Sequence, residues 1–235
     1  MPGKEILLLT PPANTNRTAE ENLGLEYLAS ESRKNGHNVS YLDGFLNGLS
    51  NEEIVEIISK ENPEVVGISP SMDSVNNVLE IAGNLRRNGY GGQIILGGIY
   101  ASFESDSLLM SANGAIDGVI TGEADDSFQA YLASGNLTVP GAVFLENGVV
   151  KKIPNEVVPD DLDRLPFPAR ESLLLVTQRK TPSHVMGSRG CYGNCSFCSV
   201  ACFQKFSSEK RWRGSRSVVG RRGPPCRRRS CVARG

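Results

Sequence analysis

From residue 5 to residue 134 the chain alternates short apolar runs with stretches of helical periodicity, and this rhythm excludes most folds. The apolar runs are Glu5–Thr10, Asn38–Leu42, Val65–Ser69, Gln93–Gly97 and Asp117–Thr121. Several are continuously apolar rather than alternating, as strands covered on both faces must be. Between them lie "NLGLEYLASESRKNG", "SNEEIVEIISKEN", "DSVNNVLEIAGNLRRNG", "ESDSLLMSAN" and "DDSFQAYLASG". Leu25, Leu28 and Ala29 keep helical spacing, as do Ile54, Ile57 and Ile58. Ser50 followed by Glu53 reads as a capping box, and Gly36 and Gly89 fall where helices end. Five βα units in series predict an α/β fold with a doubly wound, parallel, five-stranded sheet over residues 1–134.

Beyond the sheet, Asn147-Gly148 between two apolar runs predicts a hairpin. "PNEVVPDDLDRLPFPAR" is rich in proline and acid and reads as a linker, so residues 135–180 form a hairpin and linker. "PSHVMGSRG" then predicts a new strand that opens a further unit over 181–210. At 39% hydrophobic residues the chain can bury a sizeable core, yet no run approaches eighteen apolar residues, which excludes an ordinary membrane span. "MPGKEILLLT" has no small-residue cleavage site and reads as a first strand, not a signal peptide. A cytoplasmic location is the expectation, with thiols kept reduced and available to metal.

Three of the six cysteines, Cys191, Cys195 and Cys198, stand as C-x₃-C-x₂-C in "GSRGCYGNCSFCSV". Gly190, Gly193 and Asn194 make that loop compliant enough to wrap one compact polynuclear centre. A cubane iron–sulfur cluster held by three thiolates keeps one iron without a protein ligand, free to chelate a small molecule. Two other readings stay open: a structural zinc site, or a ferredoxin-like cluster, with Cys202 as the fourth ligand. Zinc sites usually offer two separated pairs, whereas these four thiols crowd into one short loop.

The spacing, with Phe197 just before the last cysteine and "SRGC" leading in, resembles the signature of radical S-adenosylmethionine enzymes. The resemblance implies that Cys191, Cys195 and Cys198 hold a [4Fe-4S] cluster, with Phe197 and Tyr192 packed beside it. It further implies that S-adenosylmethionine binds the fourth iron and is cleaved to a 5′-deoxyadenosyl radical. It also implies a small-molecule substrate, an electron donor such as flavodoxin or ferredoxin, and the start of an incomplete radical S-adenosylmethionine β/α barrel.

In doubly wound sheets ligands bind beyond the carboxyl ends of the strands. Those ends here are "TPPANTNRT", "SPS", "GGIYAS" and "TGEADD", rich in small and hydroxylic residues. The order "VVGISPS", "IILGGIYAS", "DGVITGEADDSF" resembles the Rossmann-like cobalamin-binding domain that precedes the cluster domain in one large subclass of these enzymes. The likeness covers about residues 5–205. It assigns Ser69, Ser71, Gly97, Gly98 and Gly122 to the cobalamin side of the sheet, and implies methyl transfer to an unactivated carbon or phosphorus centre. A cyclisation or other redox step, and a non-catalytic corrinoid-binding role, are the alternatives. Many cobalamin domains carry a cobalt-ligating histidine after the first strand; "PPANTNRTAEENLG" has none, so cobalamin bound without a protein imidazole is expected. "DGFLNG" (43–48) matches that motif only superficially, because it follows the second strand. A flavin site and a sheet without ligand are the other readings of these strand ends. His37 reads as structural, His184 as packing near the cluster, and Glu123 either as a site acid or as the start of a helix.

Residues 211–235 contain nine Arg and no acid, whereas residues 1–210 carry ten more acids than bases. The tail also lacks Leu and Ile. The change of style predicts an aberrant Arg-rich tail produced by a reading-frame shift or truncation. The competing reading is a basic tail for nucleic acid, which is the less expected partner.

Overall fold

The computed structural model describes residues 3–15, 18–155, 162–187, 189–190, 195–200 and 203. The sheet opens with β1 (Glu5–Thr10), whose run Ile6–Leu9 is completely buried. Leu7 and Leu9 point into one apolar layer, with Ile54 and Ile58 of α3 (Asn51–Glu61) and Val78, Ile81 and Leu85 of α4 (Val75–Arg87). Ile6 and Leu8 point into the other, with Leu25 and Ala29 of α1 (Leu23–Lys34) and Phe128, Tyr131 and Leu132 of α7 (Asp125–Ser134). Each fully buried side chain of this kind contributes about 1.5–3 kcal/mol, so a strand needing cover on both faces dictates the three-layer arrangement.

The remaining parallel strands are β2 (Asn38–Asp43), β3 (Val65–Ile68), β4 (Gln93–Leu96) and β5 (Gly118–Ile120). All five predicted strands form, within a residue or so at each end. The hairpin forms as well: β6 (Ala142–Glu146) and β7 (Val149–Lys152) turn through Asn147 (φ 52°) and Gly148 (φ 77°), both left-handed as a two-residue type I′ turn requires. It joins the main sheet, β6 pairing antiparallel with β5, so the sheet has seven strands rather than five, in the order β2-β1-β3-β4-β5-β6-β7.

Local signals set the helix ends. Ser50 Oγ accepts from Glu53 N, and Glu53 Oε2 accepts from Ser50 N, completing the predicted capping box of α3. Gly36 (φ 87°) and Gly89 (φ 83°) follow the ends of α1 and α4. "DGFLNG" is a short helix, α2 (Gly44–Asn47), in which Asp43 Oδ1 caps Leu46 N at 2.7 Å. Its resemblance to a cobalt-ligating motif is thereby explained as capping. Two more helices, like α2, were not anticipated: α5 (Gly98–Phe103), which starts directly after β4, and α8 (Leu173–Arg179), in the segment read as linker. The other helix on this side, α6 (Ser105–Ser111), is the one read from "ESDSLLMSAN".

Burial raises the Asp43 carboxyl from 3.8 to about 6, against the opposing hydrogen bonds from Leu46 N and Tyr41 OH. The folded chain therefore binds this proton more tightly than the unfolded chain. Its contribution to stability falls as pH rises from about 4 to about 6, by on the order of 2–3 kcal/mol. Asp43→Asn keeps an acceptor for the cap and removes the charge. Urea unfolding at pH 4 and pH 7 will show the variant gaining on the wild type at the higher pH; an equal difference at both would disprove the assignment.

Residues 181–187 and 189–190 are irregular chain, with a bend at Gly187, and form no strand, correcting the expectation for "PSHVMGSRG". A strand exists only where a neighbour completes its ladder, and among the described residues none lies alongside. Side chains hold the segment instead. No helix among the described residues is long and apolar enough to cross a membrane.

Candidate functional site

The strand order reverses between β1 and β3, because β1 is followed outward by β2 on one side and β3 starts the other half. Their connections diverge there and open a crevice at the carboxyl ends. A cleft of about 1320 Å³ occupies this position.

Leu8, Gly67 and Ile95 stand in register across β1, β3 and β4 and form its floor. Leu25 and Leu28 of α1 and Phe128 of α7 form the walls. Gly67 is the low point of the floor. A Cβ there would lie 2.7 Å from Leu8 Cδ2 and 3.7 Å from Phe128 Cζ, so any side chain fills the cleft's base.

The rim is hydroxylic. Ser69, Ser71, Gly97, Gly98 and Gly122, all singled out in the sequence, line the cleft together. Gly98 (φ 85°) combines left-handed backbone with a close approach: its Cβ would sit 2.8 Å from Ser69 Oγ. Ser102 Oγ donates to Gly98 O at 2.8 Å and accepts from Gly122 N at 2.9 Å, locking these two glycine turns to each other. Ser71 is tied back by Ser74, whose Oγ accepts from Ser71 N at 2.8 Å. An apolar shaft under a polar, glycine-lined mouth suits a large ligand with an apolar appendage and many hydrogen-bonding groups.

The far wall comes from the segment leading to and following the cysteines: Met186, Arg189, Gly190, Ser199, Val200 and Phe203 line the same cleft. The linker delivers it there. Ala169 N donates to Glu26 O at 3.1 Å, Ser172 N to Glu26 Oε1 at 3.1 Å, and Arg170 Nη1 to Glu21 Oε1 at 2.7 Å. Burial raises the Glu26 carboxyl above its usual range.

Cys195 is exposed and Cys198 half-buried; Cys198 N donates to Cys195 O at 3.1 Å, closing a turn that brings the two residues together. Phe197 between them is 90% exposed. Cys191, Tyr192 and Cys202 lie outside the described residues. Cysteine thiolates are donors suited to iron or zinc; two of the three in the spacing share this turn, and among the described residues no group of three His, Cys, Asp or Glu is gathered that could hold a metal.

Glu123 is neither solvent-facing nor the first residue of α7. It is paired with Arg189 at 3.2 Å, and burial pushes its carboxyl above the usual range, with Arg189 opposing. His184 Nε2 lies 3.0 Å from Glu20 Oε2, a contact at the surface, and His184 belongs to no strand. His37 Nδ1 accepts from Lys4 N at 3.0 Å, a structural role as expected. Sequence reasoning missed Gly67 and Arg189. A glycine inside the apolar run "VVGIS" was a legible sign of close approach; nothing local pointed from Arg189 to its partners.

A parallel sheet in the order 2-1-3-4-5 with a cleft at its switch point defines a ligand-binding, doubly wound α/β protein. The model of the B12 binding domain matches residues 13–132, and the chain belongs to that family. It is 32% identical over 227 residues to an uncharacterized methyltransferase of Pyrococcus horikoshii, covering 89% of this chain and 47% of that protein. It is 26% identical to the cytidylyl-2-hydroxyethylphosphonate methyltransferase of Streptomyces wedmorensis, over 85% of this chain and 48% of the relative. It is 27% identical to the anaerobic magnesium-protoporphyrin IX monomethyl ester cyclase of Rubrivivax gelatinosus, over 92% and 39% respectively. The chain thus spans about half the length of the curated relatives it matches, or less. Among solved structures, the cobalamin-dependent S-adenosylmethionine radical enzyme OxsB with aqua-cobalamin and S-adenosylmethionine bound superposes with a TM-score of 0.72. That match is 19% identical and covers 83% of this chain and 28% of OxsB, a likeness of fold.

Proposed function

We propose that this chain is the corrinoid-binding and cluster-bearing part of a cobalamin-dependent radical S-adenosylmethionine methyltransferase. One observation carries the reading: a single cleft has the B12-family sheet as its floor and the flanks of the cysteine loop as its far wall.

Gly67 and the Leu25–Leu28–Phe128 walls would receive the apolar end of the corrinoid's nucleotide tail. Ser69, Ser71, Gly97, Gly98 and Gly122 would meet its polar groups at the mouth. Cys191, Cys195 and Cys198 would hold a [4Fe-4S] cluster. Together the bound groups supply a transferable methyl group and a radical initiator for an unactivated carbon or phosphorus centre. This chain's own share is placement and exclusion of water: hydroxyls and backbone at the rim orient the corrinoid, and Met186, Val200 and Phe203 keep the far wall apolar. A small-molecule substrate and a flavodoxin- or ferredoxin-type electron donor belong to the same proposal.

The likeness to the Rubrivivax cyclase favours a second reading, in which both cofactors are kept and the outcome is ring closure or another redox step. Anaerobic purification followed by optical and electron paramagnetic resonance spectroscopy tests the shared part. A corrinoid spectrum without imidazole-nitrogen splitting, together with a cubane cluster signal, is the expected outcome. Bound zinc with little iron, or no corrinoid uptake, refutes the proposal. Turnover by the full-length enzyme separates the two readings: methylated product supports the first, and 5′-deoxyadenosine with unmethylated product supports the second.

A further inference from the structure

We propose that Arg189 is a positioning residue whose guanidinium latches the root of the cysteine loop to the carboxyl edge of the sheet. Arg189 stands two residues before Cys191. Although it lies on irregular chain, its side chain is only 8% exposed. Its Nη1 donates to Asp125 Oδ2 and its Nη2 to Asp125 Oδ1 at 3.2 Å, a two-pronged pairing. Nη1 also reaches Glu123 Oε2 at 3.2 Å, and Nε reaches Met186 Sδ at 3.2 Å. The guanidinium carbon lies 5.2 Å from the centre of the Tyr27 ring.

Asp125 opens α7, Glu123 follows β5 and Tyr27 belongs to α1. One side chain of the cysteine segment is therefore gripped by two regions of the sheet layer. Burial opposes its charge, and Asp125 and Glu123 outweigh that cost. The side-chain contact of His184 Nε2 with Glu20 on this segment is roughly half exposed on both sides and holds little. Because the segment lacks ladder hydrogen bonds, its position depends on side chains: His184 N donates to Oε1 of the buried Glu21, and Arg189 supplies a second buried grip beside the cysteines. Lysine cannot replace it, since an ammonium offers neither the planar fork nor the face that stacks on tyrosine. The purpose assigned to the latch, fixing the loop's distance from the cleft, rests on the corrinoid and cluster reading above.

Hydrogen exchange of the full-length, unloaded protein reads the latch without any cofactor. Arg189→Gln and Asp125→Asn should each speed exchange across 181–190 about tenfold or more, leaving β1 and β3 unchanged. The double variant should be no faster than Arg189→Gln alone, because Asp125→Asn removes a pairing that the glutamine variant has already lost. Arg189→Lys keeps the charge and most of the volume, and it carries the test if the glutamine variant loosens the whole sheet. Exchange within twofold of wild type in Arg189→Lys, or effects that multiply in the double variant, would overturn the proposal. A second readout is magnetic. In protein loaded with both centres, broadening of the Co(II) signal by the reduced cluster should weaken in Arg189→Lys at equal iron and cobalt content. Unchanged broadening counts against the latch. Wild-type protein that takes up neither metal sinks the functional reading while leaving the exchange result intact.

Discussion

Gly67→Leu should abolish corrinoid binding in a chain that remains folded. Gly67 lies within β3, paired with Leu8 on β1 and Ile95 on β4, and its backbone is not among the left-handed positions. A substitution there carries no backbone strain. What it meets is the far end of the Leu8 side chain, 2.7 Å from the new Cβ, and the edge of Phe128 beyond. The far end of Leu8 must swing aside to make room, at a cost of about 1–3 kcal/mol for overpacking. The rest of the leucine then projects into the base of the cleft, where the appendage of a large ligand would go. Spectral titration with hydroxocobalamin should show affinity reduced by about a hundredfold or more, equivalent to about 2.8 kcal/mol. Gly67→Ala should give an intermediate loss. Affinity within threefold of wild type would mean that the corrinoid lies elsewhere. Gly98 is a less clean probe, because alanine there is strained at φ 85° and also collides with Ser69, mixing folding with binding.

Cys195→Ala should cut iron and labile sulfide in oxygen-free preparations at least tenfold, from about four of each per chain, with S-adenosylmethionine cleavage lost. Cys202→Ala should leave both contents near wild type. This pair of variants separates a three-thiolate cubane from the four-cysteine readings. A ferredoxin-like cluster or a zinc site using Cys202 would lose its metal in both variants. The exposure of Cys195 and the turn it makes with Cys198 leave its thiol accessible to an assembling cluster. Metal analysis that finds zinc, or iron lost equally from both variants, would end the radical-enzyme proposal while leaving the sheet's assignment to the B12 family untouched.

Much of the candidate site was legible in the chain itself. The segments "SPS", "GGIYAS" and "TGEADD" could be placed because strand ends follow from the apolar runs and doubly wound sheets bind ligands at those ends, whereas the choice of Ser69, Ser71, Gly97, Gly98 and Gly122 within them came from the resemblance to the cobalamin-binding domain. Gly67 was legible and passed over, since one glycine in a buried run also occurs where backbones simply pack closely. The strand expected at 182–190 does not form among the described residues, for a reason local pattern cannot see: a segment becomes a strand only beside a partner.

The 235 residues determined, unaided, the five parallel strands, the capping box at Ser50, the Asn147-Gly148 turn and the spacing of the thiols. All of these depend on contacts within a few positions, or on an apolar period that any solvent enforces. Folding in three dimensions settled the rest: the hairpin added to β5, the Gly67 floor, and the pairing of Arg189 with Asp125 across 64 positions. Those features join residues remote in sequence, and no local propensity specifies which distant group will fill a buried hydrogen bond or leave a gap beneath a ligand.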